Sequence, residues 1–152
     1  MKRTIIITSA LLVVIVLATA GYWHFGVSFY AKNNATFGEV KEKQYNKETF
    51  MAVIYDQQSE LSQKAEPLFQ ELAKEKGLPL LAVDKNGISA DAHGLPFNDE
   101  TVVPAFYYFE DGQLRMIVEG YHPLEVYLQG FEEVRRMEDK QKEKEGGQQH
   151  AD

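Results

Sequence analysis

The feature that most constrains the fold is a strand-length apolar run followed closely by a helix with one apolar stripe. The run Phe50–Tyr55 is continuously apolar, which predicts a strand covered on both faces. A helix is predicted over residues 59–76, where apolar side chains recur at helical spacing, and Gly77 is a natural C-terminal stop. A buried strand joined to such a helix predicts an α/β domain.

The remaining pattern continues this alternation. A second buried strand is predicted over 78–83, a short helical or irregular stretch over 89–95, and hairpin strands over 105–109 and 114–118. Pro123 opens a last helix with a core-facing stripe. The order strand, helix, strand, short helix, hairpin, helix predicts a central mixed sheet with helices on both faces.

The N-terminus has the composition of a membrane segment. Lys2 and Arg3 precede an apolar stretch, and the aromatic residues from Tyr22 to Tyr30 suit the outer membrane interface. We expect residues 1–27 to form a single-pass signal anchor, which places the rest of the chain outside the cytoplasm. An alternative stays open, because residues 18–20 fit a signal-peptidase site and the chain is then secreted after cleavage near Ala20.

Composition divides the rest of the chain into three parts. Residues 28–46 are polar and mixed and are interpreted as a linker. Residues 47–136 carry the strand and helix patterns of the domain. Residues 137–152 are rich in Lys, Glu and Gln and are expected to be a charged, disordered tail.

Charge and cysteine content exclude several kinds of function. The formal net charge is −7, which argues against nucleic acid as a partner. The chain has no cysteine, so it forms no disulfide, thiolate metal site or cysteine nucleophile. Its four histidines are scattered without the spacing of metal ligands. We therefore expect no metal and no cofactor.

Several residues recur in type and spacing as they do in a known family. Ser59 and Ser62 stand at the start of the predicted helix, Pro67 follows within it, and the pair Val103-Pro104 precedes a strand. Gly112 lies in the hairpin turn, and Gly120 follows the second hairpin strand. Together these residues resemble the pattern of the thioredoxin-like family over a little more than half of the chain. Ser59 and Ser62 stand where the family carries the two cysteines of its Cys-x-x-Cys motif. The chain also resembles the membrane-anchored, extracytoplasmic members of this family in Gram-positive bacteria.

The resemblance implies a three-layer thioredoxin-like fold in which the Val103-Pro104 bond is cis. It also implies a remnant active-site groove beside that bond, where the backbone before the proline pairs with an extended peptide. The residues expected to line this groove are Gln58, Ser59, Glu60, Leu61, Ser62, Val103, Pro104, Gly120 and Tyr121. Inserted residues 96–100 are expected beside the groove, unless they are only a tolerated surface insertion.

Serine cannot perform the chemistry of the motif, because disulfide exchange needs a thiolate. Ser59 also has a purely structural interpretation as the N-cap of the helix, with Glu60 at the positive end of the helix dipole. Val53 stands where thioredoxins usually carry a buried acid, and Gln58 replaces a common tryptophan. No nucleophile-elbow pattern surrounds Ser59, so a hydrolase is not predicted. No catalytic residue is assigned.

These observations predict a redox-inactive, membrane-tethered extracytoplasmic domain. Its expected partner is a peptide or an envelope protein, bound through the remnant groove, and some similar proteins accompany bacteriocin export or other secretion. One alternative is a degenerate or Cys-to-Ser form of a membrane-anchored thiol-disulfide oxidoreductase. A third possibility is a structural envelope component that makes no use of the groove.

Overall fold

The computed structural model describes residues 28–87, 94–97 and 100–148. Four strands form one mixed sheet in the order β2-β1-β3-β4, with β1 parallel to β2 and antiparallel to β3. The strands are β1 Phe50–Tyr55, β2 Leu80–Asp84, β3 Ala105–Glu110 and β4 Gln113–Glu119. The helices are α1 Phe29–Lys32, α2 Phe37–Tyr45, α3 Glu60–Lys76 and α4 Leu124–Gln148, with a 3-10 turn at Lys85–Gly87.

Both faces of the central strands are covered, as the apolar run of β1 predicts. Every residue of β1 is buried, and alternate side chains point to opposite faces of the sheet. Met51, Val53 and Tyr55 pack in one cluster with α3 and α4, whereas Phe50 and Ile54 pack in a second cluster with α2. The structure therefore confirms an α/β fold with three layers.

Helix α3 has the bounds that its sequence predicts. Ser59 is its N-cap, and Gly77 ends it in the left-handed conformation. Its buried stripe includes Phe69, whose ring stacks on Phe106 at 5.9 Å between centroids and meets Tyr127 edge-on at 5.5 Å. This stripe fixes the face of α3 against the sheet.

The linker predicted over residues 28–46 is wrong, because these residues form α1 and α2 and join the core. Thr36 caps α2 through a capping box with Glu39, and Phe37 and Val40 are buried. The chain before α2 also bridges the outer side of β2, with the Ala35 N–H donating to the Ala82 carbonyl at 2.9 Å. A few well-placed apolar residues fold this otherwise polar stretch.

The prediction of a disordered tail over residues 137–152 is also wrong for most of that stretch, because α4 continues to Gln148. From residue 135 to residue 144 the helix has no buried apolar residue, so packing alone does not explain its length. Lys, Glu and Gln are strong helix formers, and ion pairs such as Glu133–Arg136 at 2.7 Å add local support. Residues 149–152 lie outside the described part.

The predicted membrane anchor, residues 1–27, lies outside the described residues. Over the described ranges, no helix is both long enough and apolar enough to cross a bilayer. Tyr30, which the sequence groups with the interfacial aromatics, belongs instead to the folded domain, where its side chain is 5% exposed. Its ring packs on Tyr55 rather than facing lipid.

The β3–β4 turn brings Gly112 against the end of α2. Gly112 has φ +72°, and a Cβ built there lies 2.2 Å from the Gln44 carbonyl oxygen and 3.0 Å from Lys47 Cα. We expect Gly112→Ala to lower the free energy of unfolding by about 2–3 kcal/mol through this clash and backbone strain. Gly77→Ala is the matched control, with φ +61° and no atom within 4 Å. Urea unfolding of both variants measures their losses in free energy of unfolding. A larger loss for Gly112→Ala is the contribution of the clash, and equal losses contradict it.

At the same end of the sheet, Glu110 of β3 lies beside Glu138 of α4. Arg115 contacts both, with Nε 3.5 Å from Glu110 and a guanidinium nitrogen 3.9 Å from Glu138. The hydrogen bond with Glu138, followed by burial and the Glu138 charge, raises the pKa of the Glu110 carboxyl above its ordinary value of 4.5, against the opposing effect of Arg115. The folded chain therefore binds this proton more tightly than the unfolded chain.

Because that pKa is raised on folding, the stability that protonated Glu110 contributes is complete below 4.5 and is lost as pH rises through the folded value. Glu138→Gln is expected to increase the free energy of unfolding at neutral pH, because an amide donates to ionised Glu110. The gain shrinks as pH falls through the raised pKa of Glu110, because the protonated carboxyl no longer carries the charge that the amide satisfies. Urea unfolding at several pH values tests this prediction. If Glu138→Gln instead lowers the free energy of unfolding at neutral pH, the ion pair of Glu138 with Arg115 outweighs the repulsion between the two carboxylates.

Candidate functional site

The pairing register brings three connections to one end of the sheet. Ile54, near the end of β1, pairs with Ala105 at the start of β3, and Ala105 pairs with Glu119 at the end of β4. The loop after β1, the Val103-Pro104 turn and the Gly120-Tyr121 turn therefore meet there. We call this the serine end, formed by residues 56–62, 102–104 and 120–121, and the opposite end, at the β3–β4 turn, the hairpin end.

The two serines occupy different environments at the start of α3. The Ser59 hydroxyl accepts a hydrogen bond from the Ser62 N–H at 3.3 Å, as expected of an N-cap residue. The Ser62 side chain is fully buried, and its hydroxyl accepts from the Asp56 N–H at 3.2 Å. Both hydroxyls thus satisfy backbone donors, which confirms the structural role given to Ser59.

Tyr30 of α1 supports this helix start, and the sequence analysis did not identify it. Its hydroxyl donates to the Ser62 carbonyl oxygen at 2.7 Å, and its ring stacks on Tyr55 at 4.3 Å between centroids. Burial, followed by the charge of Glu66, raises the pKa of Tyr30 far above its ordinary value, so the hydroxyl remains a donor. A tyrosine outside the motif gives no sequence signal for such a contact.

Val53 and Gln58, the two other departures from the thioredoxin pattern, lie in the environments that their residue types predict. Val53 is fully buried in the core beneath α3, so no carboxylate is available at that position. Gln58 is exposed in the loop before α3, where its N–H donates to the Asp56 carboxylate at 2.8 Å. The serine end thus has neither a thiol nor the buried acid that assists one.

The Val103-Pro104 bond is cis, which confirms the expectation from the resemblance. Pro104 is buried, and its carbonyl accepts from the Gly120 N–H at 2.8 Å. Gly120 has φ +83°, so the turn after β4 uses a conformation that favours glycine. This hydrogen bond joins two of the three connections at the serine end.

Apolar side chains at the serine end remain partly open to solvent. Leu61 in the first turn of α3 is 46% exposed, Val102 before the cis bond is 57% exposed, and Tyr121 is 43% exposed. Each belongs to a different connection. The serine end thus exposes an apolar side chain on each of its three connections.

The inserted residues 96–100 were expected beside the groove, but their aromatic residue serves the core. Phe97 is 3% exposed and packs at 5.3 Å from the Phe37 ring and 5.0 Å from the Tyr107 ring. Phe97 thus anchors the loop on the α2 side of the sheet. Residues 98 and 99 lie outside the described part, as do residues 88–93 of the predicted short helix.

Two buried tyrosines of the domain have raised pKa values. Burial raises the pKa of Tyr127 to about 12, and its hydroxyl lies 3.4 Å from the Gly120 carbonyl oxygen. Burial likewise raises the pKa of Tyr107 to about 12. Within the described ranges, no cluster of three His, Cys, Asp or Glu side chains could hold a metal ion.

Comparison with known proteins identifies the fold. No protein-family model matches the sequence, and no curated protein matches it. Three similar solved structures are mitochondrial thioredoxin 3 from Saccharomyces cerevisiae in its oxidized form, a chain from a study of thiol resolution in yeast mitochondrial 1-Cys peroxiredoxin, and thioredoxin from Trypanosoma brucei brucei.

The similarity is structural and covers nearly the whole of two of these chains. The yeast thioredoxin is 16% identical with a TM-score of 0.57, and the chain from the peroxiredoxin study is 17% identical with the same score. In both cases 70% of this chain and 99% of the other are covered. The trypanosome protein is 12% identical with a TM-score of 0.56, covering 68% of this chain and 89% of its own. The protein therefore has a thioredoxin-like fold.

Proposed function

We propose that this protein is a redox-inactive thioredoxin-like domain that binds an extended peptide segment of another protein at its serine end. In this proposal, residues 1–27 tether the domain to the membrane and the domain acts outside the cytoplasm. The observation that carries the proposal is the combination of a retained site architecture with serine at both positions of the motif. The helix start and the Val103-Pro104 turn remain, while the sulfur chemistry is absent.

The surface at this end supports peptide binding in particular. Val102 is exposed and Val103 half-buried in the connection just before β3. An extended peptide can add to such a connection through backbone hydrogen bonds and place its side chains against neighbouring apolar groups. Leu61 and Tyr121 are exposed apolar residues of the other two connections at this end.

A second candidate is a Cys-to-Ser form of a working thiol-disulfide oxidoreductase. It is favoured by the two environments of the serines, since Ser59 is partly exposed at the helix start and Ser62 is fully buried behind it. An exposed attacking thiol and a buried resolving thiol would suit these two positions. In that case a relative with cysteines at both positions performs the exchange.

Photo-crosslinking in the source cells tests the binding proposal. A photoreactive side chain at Leu61 is expected to capture a partner that the same group at exposed Lys140 does not capture. Val102→Asp is expected to remove the Leu61 product, because a charge desolvated against an apolar peptide side chain opposes binding. The readout is the yield of the crosslinked band.

Equal products from Leu61 and Lys140, or a Leu61 product that survives Val102→Asp, contradict binding at the serine end. The absence of any product from either position favours a structural envelope component. Far-UV circular dichroism of the Val102→Asp variant confirms that the fold is intact, as expected for an exposed position.

A further inference from the structure

The described chain is fastened to the serine end from its first residues. The Ser28 hydroxyl donates to the Glu66 carboxylate in the second turn of α3. Two residues later, the Tyr30 hydroxyl donates to the Ser62 carbonyl oxygen at 2.7 Å. The Tyr30 ring also stacks on Tyr55, the last residue of β1. The N-terminal path therefore ends on the helix start that carries the two serines.

Little chain separates this attachment from the predicted membrane segment. The sequence predicts that segment over residues 1–27, and Ser28 directly after it already contacts α3. From Ser28 to Tyr30 the chain spans at most about 10 Å even when it is fully extended. If the predicted segment spans the membrane up to residue 27, this attachment determines which end of the domain is held closest to the bilayer.

Helix α4 defines the opposite direction. It begins just after the Gly120-Tyr121 turn at the serine end and reaches the hairpin end, where Glu138 lies 3.9 Å from Arg115. The ten residues from there to Gln148 extend about 15 Å further at the rise of an α-helix. Lys140 therefore lies at the end of the domain remote from the tether.

We propose that the serine end faces the membrane and takes its peptide from a membrane-embedded protein, as an extended apolar segment next to a membrane span. This inference rests on the proposed function, which supplies both the tether and peptide binding. A site held at the bilayer meets such a segment at high effective concentration, because both chains are confined to the same surface. A freely diffusing exported protein has no such advantage.

The charges at the serine end favour a protein over lipid as the occupant. Asp56, Glu60 and Glu119 are acidic and at least partly exposed there. Anionic lipid headgroups repel acidic groups, so the domain is not expected to lie with this end flat on the membrane. This repulsion favours a polypeptide over the lipid surface as the occupant of the serine end.

Energy transfer on full-length protein in lipid vesicles tests the orientation. Because the chain has no cysteine, one introduced cysteine gives a unique label, and Gln58→Cys and Lys140→Cys place it at the two ends on exposed residues. With acceptor dye on lipid headgroups, we expect markedly stronger transfer from position 58 than from position 140. Equal transfer, stronger transfer from 140, or failure of the protein to float with the vesicles overturns the orientation.

Mapping the crosslinked peptide tests the partner class. In cells, a photoreactive group at Tyr121 is expected to crosslink to a segment of the partner close to one of its membrane spans. We expect that segment to lie within about 20 residues of the span, a distance along the chain equal to the length of one spanning helix. A flexible Gly/Ser linker of 20 residues inserted between residues 27 and 28 frees the domain over roughly 25 Å. It is expected to lower the crosslink yield several-fold.

The two proposals fail in distinguishable ways. If Tyr121 crosslinks to exported proteins that have no membrane span, or if the linker leaves the yield unchanged, the inference is overturned while peptide binding at the serine end stands. If neither Leu61 nor Tyr121 gives a product in the unmodified chain, peptide binding fails and the inference fails with it.

Discussion

The double variant S59C/S62C is expected to form an intramolecular disulfide without becoming an efficient oxidoreductase. The two residues lie one helical turn apart, and the Ser59 hydroxyl is already 3.3 Å from the Ser62 N–H. Thiols at the start of a helix are the usual arrangement for a reversible disulfide of this spacing. The disulfide is expected because the backbone that holds such a pair is present.

Efficient turnover needs more than this geometry. The helix N-terminus lowers the pKa of a cysteine at position 59, which increases the fraction of reactive thiolate. A thiol at position 62 is fully buried, and burial raises its pKa. Val53 supplies no carboxylate to accept the proton of the buried thiol. Release of a mixed disulfide by attack from position 62 is therefore expected to be slow.

The measurement is reduction of insulin by dithiothreitol, followed by turbidity, together with mass analysis of the oxidised and reduced variant. We expect a mass loss of two hydrogens on oxidation and no acceleration of insulin reduction. The single variant S59C is the control, because it cannot close the intramolecular disulfide. Strong acceleration by the double variant supports the oxidoreductase alternative against the proposed binding function.

The parts of the fold that the sequence predicted correctly are those whose pattern is repeated over many residues. Six consecutive apolar residues give β1, and the stripe along α3 includes Ala65, Phe69 and Leu72. Both ends of α3 carry the cap residues expected of them, Ser59 and Gly77. Such elements are specified locally, so composition and periodicity suffice to find them.

The elements that the sequence missed depend on contacts far along the chain. Helix α1 is four residues long, too short to be stable alone, and it exists because Tyr30 packs on Tyr55. Helix α2 offers only two buried apolar side chains, Phe37 and Val40, in a polar stretch. A pattern of two residues does not distinguish a helix from a linker.

The candidate site likewise contains residues that the sequence predicted and residues that it missed. The resemblance identified the serines and the Val103-Pro104 pair, and the pairing of β1, β3 and β4 places the three connections at one end. Phe97 was expected near that end, but an aromatic side chain in an insertion packs wherever the core has space for it. The contact of Tyr30 with Ser62 requires the fold to be known first.

Removal of the Tyr30 side chain is therefore expected to destabilise the whole domain. Tyr30 is 5% exposed, its ring stacks on Tyr55 at 4.3 Å, and its hydroxyl donates to the Ser62 carbonyl oxygen. Truncation of a buried aromatic residue removes both its apolar contacts and its volume, so Tyr30→Ala is expected to cost about 3–5 kcal/mol. Tyr30→Phe loses only the hydrogen bond and is expected to cost about 1 kcal/mol.

Urea unfolding of the full-length chain in non-ionic detergent, followed by far-UV circular dichroism, measures both losses. Tyr45→Ala is the matched control, because Tyr45 lies on α2 with 88% of its side chain exposed and is expected to change stability by less than about 0.5 kcal/mol. If Tyr30→Ala behaves like the control, α1 is a loose linker after all and the tether does not hold the serine end. A large loss for Tyr30→Ala with a small one for Tyr30→Phe means that ring packing, more than the hydrogen bond, fastens the N-terminal chain to α3.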